Sequence, residues 1–319
     1  MTAARRVAFA PGRVNLIGDH TDYAGGLVLP MAIQLGTTVS FAVGGDVVEL
    51  RSTDEPEPAV VPLAVADPSG VQPAWARYVA GVVSSVSPAV GGTGTVTTTL
   101  PIGAGLSSSA ALEVAVALAL GFDGPPLALA QACQAAEQRA SGVPCGVMDQ
   151  LAAAAGVEGH ALLIDCGSLA VTPVPLPPAD EAEIVVIHSG QSRELAGSAY
   201  GQRRAEWERG FAPRVRHVES ESERVEQFAR AMQQGDLSEA GRLMLASHAS
   251  LRDDFEVSTP VLDSLIERLI QLPGVFGARL TGAGFGGCVV ALARPGALDG
   301  VADRHWQVRP SAGAYVETS

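Results

Sequence analysis

Lysine is absent from this 319-residue chain, in which all 21 basic residues are arginine. A Walker-A loop and a protein-kinase strand lysine are therefore excluded, since both place an ammonium on nucleotide phosphates. Schiff-base catalysis on lysine is excluded for the same reason. Positive charge is scarce altogether. Against 34 acidic residues it leaves a net charge of −13, which argues against a general nucleic-acid binder, because such proteins carry a basic face. Cysteine is sparse as well. Cys133, Cys145, Cys166 and Cys288 are scattered, with no C-x-x-C pair. That spacing makes neither a zinc ribbon nor a disulfide scaffold and fits a reducing compartment. The most apolar stretch, Ala110 to Leu120, is interrupted by Glu113 and is too short to span a bilayer. The opening MTAARRVAFAPGR lacks the apolar run of a signal peptide. The expectation is a cytoplasmic protein without nucleic-acid or membrane partners.

What remains is ample material for a core: 47% hydrophobic and 17% charged residues. The length suggests two domains or one large two-lobed one. Period-2 patterning predicts strands over Arg5 to Ala10, ending at Pro11-Gly12, and over Leu27 to Val39, Val47 to Arg51 and Thr93 to Leu100. Ser52 to Pro73 reads as a surface excursion. Helical spacing covers Trp75 to Val83, the segment ending at Leu120, Pro126 to Ala140 and Gly146 to Ala154. Strands follow at His160 to Asp165 and Glu183 to His188. Between them VTPVPLPP, Val171 to Pro178, is either a lobe boundary or an edge strand. Ser198 to Leu272 is helical, with breaks near Gly210, Gly235 and Val257-Ser258. Val275 to Leu280 and Cys288 to Ala293 are strands around a glycine loop.

Three segments carry chemistry. In PIGAGLSSSAALEVAVALAL a glycine-rich turn feeds a helix, with Ser107, Ser108 and Ser109 in the first turn. Read alone, this is either a capped buried helix or an anion cradle, in which backbone N–H groups and hydroxyls hold phosphate and magnesium without lysine. In PGRVNLIGDHTDYAGG, Arg13, Asn15, Asp19, His20 and Asp22 crowd a short stretch. That is either a solvated charged turn or a set of partners for vicinal sugar hydroxyls. In AAEQRASGVPCGVMDQLAAAAG, Asp149 stands among apolar neighbours and Glu137 falls on a helix. A carboxylate so placed needs a partner or a raised pKa; otherwise Asp149 is a cap and Glu137 a surface charge.

The first string closely resembles the ATP-binding motif of the GHMP kinases. The second resembles the galactokinase signature within that superfamily, and P-C-G-V-M-D-Q resembles its catalytic-aspartate segment. ARLTGAGFGGC, from Ala278, matches the third superfamily motif. PAWARYVAGVV and GSAYGQRRAEWE match further galactokinase segments, although Trp75, Tyr78 and Gly81 read equally well as helix packing. The resemblance runs from about Arg5 to Ala293. It implies a two-lobed α+β GHMP kinase fold, with lobes at 1–178 and 179–319 and the ATP site between them. It also implies an ATP- and Mg²⁺-dependent sugar-1-kinase acting on galactose, as a monomer or weak homo-oligomer.

Carried over by position, Asp149 becomes the catalytic base and Arg13 the residue beside the reacting hydroxyl. Asp19, His20, Asp22, Gly146 and Tyr200 become sugar contacts. Pro101, Gly103, Ala104, Gly105, Leu106, Ser107, Ser108, Ser109 and Ala110 form the ATP loop, and Ser109 with Glu137 the metal site. Galactokinases usually have glutamate where this chain has Asp19, so that carboxylate reaches less far by one methylene. The change keeps a uronic acid, arabinose or an N-acetylated hexosamine as alternative substrates. A silent sugar sensor is the reading from another class, and the intact SSSAA loop, Glu137 and Asp149 weigh against it.

Overall fold

The computed structural model describes residues 4–101, 103–191 and 196–317. Its first lobe comprises β1 (Arg5–Asn15), β2 (Leu27–Val28), β3 (Pro30–Val43), β4 (Val47–Ser52), β5 (Ala59–Pro62), α1 (Ala76–Val86), β6 (Gly92–Thr98), α2 (Ser108–Ala119), α3 (Pro126–Ser141), α4 (Met148–Ala155), β7 (His160–Asp165) and β8 (Ala170–Pro175). The second comprises β9 (Glu183–His188), α5 (Ala196–Glu208), α6 (Ala212–Gln234), α7 (Leu237–Asp253), α8 (Pro260–Leu269), β10 (Val275–Thr281), β11 (Cys288–Ala293) and β12 (His305–Val308), and β13 (Tyr315–Glu317) returns to the first. This is a two-lobed α+β architecture.

A six-stranded sheet, β13-β1-β3-β6-β4-β5, forms one wall of the first lobe. β1 does not stop at Pro11-Gly12. It runs on to Asn15 through a register shift between Pro11 and Arg13, a place where a residue lacking N–H is tolerated. A Cβ at Gly12 would lie 2.5 Å from Leu106 O, so this irregular stretch is where the strand meets the glycine loop. The presumed excursion after Ser52 contains β5, which extends the sheet against β4. α2 is buried nearly all round through its alanines and valines, as expected of a central helix rather than an amphipathic surface one. Trp75 donates Nε1–H to Glu57 O, and a Cβ at Gly81 would meet Ala136 O at 2.4 Å. Those two residues are packing devices.

The prolines of Val171 to Pro178 mark an edge strand: β8 pairs with β7 in the three-stranded sheet β2-β7-β8. The chain then crosses to the second lobe, whose antiparallel sheet β10-β11-β9-β12 packs beside α7 and α8. After β12 it crosses back. Ser311 N donates to Ala32 O, Gly313 N to Gly156 O and Ala314 N to Ala153 O, and β13 then pairs with β1. The two crossings face one cleft, lined by Leu176 to Pro178 on one side and Gln307 to Pro310 on the other. No helix among the described residues is long and apolar enough to cross a membrane.

A buried polar network joins the lobes beneath residues 15–20. Arg279 of β10 is wholly buried, lies 2.6 Å from the Asp19 carboxylate and donates to Leu16 O. Glu221 of α6 accepts from Gly18 N, Arg224 and Ser247, and His217 faces Asp19 O at 3.0 Å. Removing one partner of such a pair strands a buried charge, at a cost of about 3–5 kcal/mol. Arg279→Met is expected to lower stability by about that amount in urea unfolding; a loss below about 1 kcal/mol would show that Asp19 finds another partner.

Candidate active site

The two lobes enclose a cavity of about 220 Å³. β1 delivers Arg13 to it, because the register shift turns that side chain toward α4. Arg13 Nε and Nη2 each donate to one oxygen of Asp149, both at 2.7 Å, and Nη1 donates to Gly105 O at 2.9 Å. This fork-to-fork geometry is available to arginine and not to lysine. Asp149 lies in the first turn of α4 and its side chain is 28% exposed, against 6% for Arg13. Ser107 donates its hydroxyl to the same carboxylate. Ser107 stands at the N-cap of α2 with φ +59° and makes no side-chain cap, so its role differs from the capping one read in the sequence. The first-turn N–H groups of α2 lack that cap and stay open to an anion. Gly103 and Gly105 hold φ of +75° and +73°. Ala104, Leu106 and Ala110 are buried, so they offer only backbone, while Pro101 is part-buried and Ser108 exposed.

Ser109 donates to Glu137 Oε1 at 3.0 Å, bringing together two residues read from motifs 28 positions apart. Gln150 Nε2 donates to the other oxygen of Glu137 and to Glu113. Burial, and then the charge of Asp149, raises Glu137 to about 7. Among the described residues no three His, Cys, Asp or Glu side chains cluster as a metal cage. Two oxygen donors beside an excess of acid still fit magnesium, which takes one or two protein ligands and completes its shell with phosphate and water.

The β1–β2 connection lines the other wall. Asp22 is raised to about 6 by burial and then by Asp149. A Cβ at Gly146 would sit 1.9 Å from Asp22 Oδ2, so glycine is required there. Asp19 lines the cavity but has committed its carboxylate to Arg279 and Gly282 N. His20, at φ +65°, has Nδ1 3.2 Å from the Tyr23 hydroxyl and Nε2 3.2 Å from Ala283 O. A carbonyl only accepts, so the network assigns the proton to Nε2. Burial, and then His217, lowers this ring to about 3, so it is neutral. His20 stacks on Phe255 and Tyr200 at centroid distances of 4.6 and 5.5 Å. Asp19 and His20 thus hold the wall together, and Asp22 and Tyr200 line the cavity beside the Arg13–Asp149 pair. His248 lies outside it, paired with Asp263. Gln150, Arg279 and the Gly282-Ala283 backbone were missed from the sequence. Each sat inside a quoted motif, and only the fold shows which of its residues face inward.

Family models match three stretches: the galactokinase galactose-binding signature at residues 2–43, the GHMP kinase N-terminal domain at 77–157 and the GHMP kinase C-terminal domain at 228–306. The chain is 44% identical to the galactokinase of Canis lupus familiaris and 43% identical to that of Homo sapiens, in each case over 89% of this chain and 82% of the relative. A crystal structure of Lactococcus lactis galactokinase complexed with galactose superposes with a TM-score of 0.88 at 30% identity, covering 98% of this chain and 95% of that one. The Methanococcus jannaschii mevalonate kinase, at 19% identity and a TM-score of 0.76 over 97% and 99% of the two chains, shares the fold.

The raised acids make ligand-free stability depend on pH. Below its usual value of 4.5, Glu137 is protonated in both folded and unfolded chains. Between there and about 7 the folded chain keeps a proton the unfolded one has lost, so stability falls as pH rises and levels off above 7. Glu137→Gln is expected to remove much of that slope and to stabilise the ligand-free protein at pH 8 by on the order of 2 kcal/mol. An unchanged slope in thermal unfolding would contradict the assignment.

Proposed function

We infer that this chain, which belongs to the galactokinase family of the GHMP kinases, transfers the γ-phosphoryl group of ATP to the anomeric hydroxyl of α-D-galactose. The observation that carries the reading is the Arg13–Asp149 pair, held at 2.7 Å on both arms in a cavity beside the N-terminus of α2. The lobes are assigned to 1–178 and 179–319, with the last strand returning to the first.

In this scheme Asp149 accepts the proton of the anomeric hydroxyl as its oxygen attacks phosphorus. Arg13 and the Ser107 hydroxyl hold the carboxylate and aim it. Arg13 has N–H groups beyond the three already engaged, and these face the charge building on the phosphoryl group. The open N–H groups of the glycine loop and α2 cradle the triphosphate. Ser109 and Glu137 would hold Mg²⁺, which neutralises the phosphate oxygens when bound. Asp22 and the Tyr200 hydroxyl receive sugar hydroxyls, while Gly146 leaves room for Asp22. A uronic acid fits poorly: among the described residues Arg13 is the arginine that lines the cavity, and it is already paired with Asp149, leaving a substrate carboxylate among acids.

ADP release with Mg²⁺-ATP against a panel of free sugars tests the reading. Galactose ahead of arabinose, N-acetylgalactosamine and galacturonate is expected; another sugar ahead would move the specificity, and saturable binding without turnover would favour a sensor. Asp149→Asn is expected to lower kcat by about 10²–10⁴-fold or more, and near-normal turnover would remove the base role. Protonation of Asp22 withdraws an acceptor, so KM for galactose should climb as pH drops below about 6. A flat KM down to pH 5 would detach Asp22 from the sugar.

A further inference from the structure

Glu113 plays no part in the chemistry above, yet it is a fully buried acid in the most apolar helix of the chain. It lies one turn beyond Ser109 on α2. Its Oε2 accepts from Gln150 Nε2 at 3.1 Å, and the same nitrogen donates to Glu137 Oε2. Gln150 follows Asp149 on α4 and is also fully buried. One amide nitrogen therefore ties α2, α3 and α4 together directly under the proposed metal pair.

The orientation of that amide decides what Glu137 meets. Turned over, it would present an oxygen to two carboxyl oxygens, which only a protonated acid could satisfy. In the observed orientation Glu113 Oε1 and Gln150 Oε1 are both buried acceptors with no hydrogen-bond partner. A neutral Glu113 carries the O–H donor that this pair of acceptors lacks. An ionised Glu113 would instead leave a charge in an apolar layer with no cation beside it.

We propose that Glu113 is a positioning residue: as a neutral acid paired with the Gln150 amide, it directs the amide nitrogen at Glu137 and so orients the carboxylate that receives magnesium with Ser109. Burial, and then the neighbouring charge of Glu137, pushes the Glu113 carboxyl well above the usual range, in keeping with the neutral form. The inference rests on the magnesium reading of Ser109 and Glu137. Glu113 touches neither substrate nor phosphate and acts through Gln150.

The test is calorimetric titration of the ligand-free full chain with Mg²⁺-ADP, which reads the site without sugar or turnover. Glu113→Gln keeps a neutral donor and acceptor. Its affinity should stay within about threefold of the parent, and its ligand-free melting temperature should be equal or higher. Glu113→Leu removes both groups and should weaken Mg²⁺-ADP by about tenfold or more, with ADP binding in excess chelator changed far less. If that variant does not fold, Gln150→Met carries the same expectation. A tenfold loss in Glu113→Gln would overturn the neutral-acid role and make Glu113 a charge felt by the metal. Parent-like affinity in Glu113→Leu or Gln150→Met would overturn positioning altogether. Glu137→Gln serves as the control: Mg²⁺-ADP binding left intact there overturns the metal reading itself, whereas a loss there with parent-like Glu113 and Gln150 variants overturns only the positioning role.

Discussion

The pairing of Arg13 with Asp149 is the constraint to which the other parts of the site answer. One guanidinium reaches the carboxylate of α4 with two arms and the carbonyl of Gly105 with a third. It thereby fixes the end of β1, the glycine loop and the start of α4 relative to one another. The register shift after Pro11 is needed to bring it there. The close approach at Gly12 is needed to let the loop lie against the strand. In a chain without lysine the buried guanidinium is a planar fork, and here that planarity fixes the direction of the Asp149 carboxylate as well as pairing with it.

Around this pair the interior carries more acid than base. Burial and neighbouring carboxylates push Asp22, Glu113 and Glu137 up, and Arg13 opposes this at Asp22 and Glu137. Such a cluster is costly to an empty protein and favourable to one that binds a cation with its nucleotide. Across the lobe junction each acid meets a cation instead: Arg279 lies 2.6 Å from Asp19, and Arg224 donates to Glu221.

Much of this was legible in the sequence because the motifs are local. The strand-loop-helix from Thr93 into α2, the carboxylates at 137 and 149 and the glycine loop before Cys288 all fell where spacing put them. The resemblance already set Ser109 beside Glu137, but the contact of Ser107 with Asp149 was not read. Ser107 turns to Asp149 and Ser109 to Glu137, a difference set by φ at one residue. Asp19 and His20 were read as sugar contacts from the crowding of polar residues and from the resemblance, and in the structure the Asp19 carboxylate meets Arg279 and Gly282 N while His20 Nε2 meets Ala283 O. Their partners lie some 260 residues away at Arg279 to Ala283, a distance no local pattern spans. Glu113 was visible only as a flaw in an apolar run, and its meaning depends on two other helices. β5, β12 and β13 were missed because short edge strands carry few alternating residues.

The chain passes between the lobes twice, once after β8 and once after β12, and both passages border the same cleft. Two adjacent covalent links behave mechanically as a door hinge, where a single linker would behave as a tether. They leave one soft rotation about the line joining them and resist sliding or parting. Relative motion of the lobes then becomes a swing of fixed axis. The returning segment also bonds to Ala153 and Gly156 at the end of α4. The jamb of that door is therefore the helix bearing Asp149, so opening leaves the base registered to its own lobe.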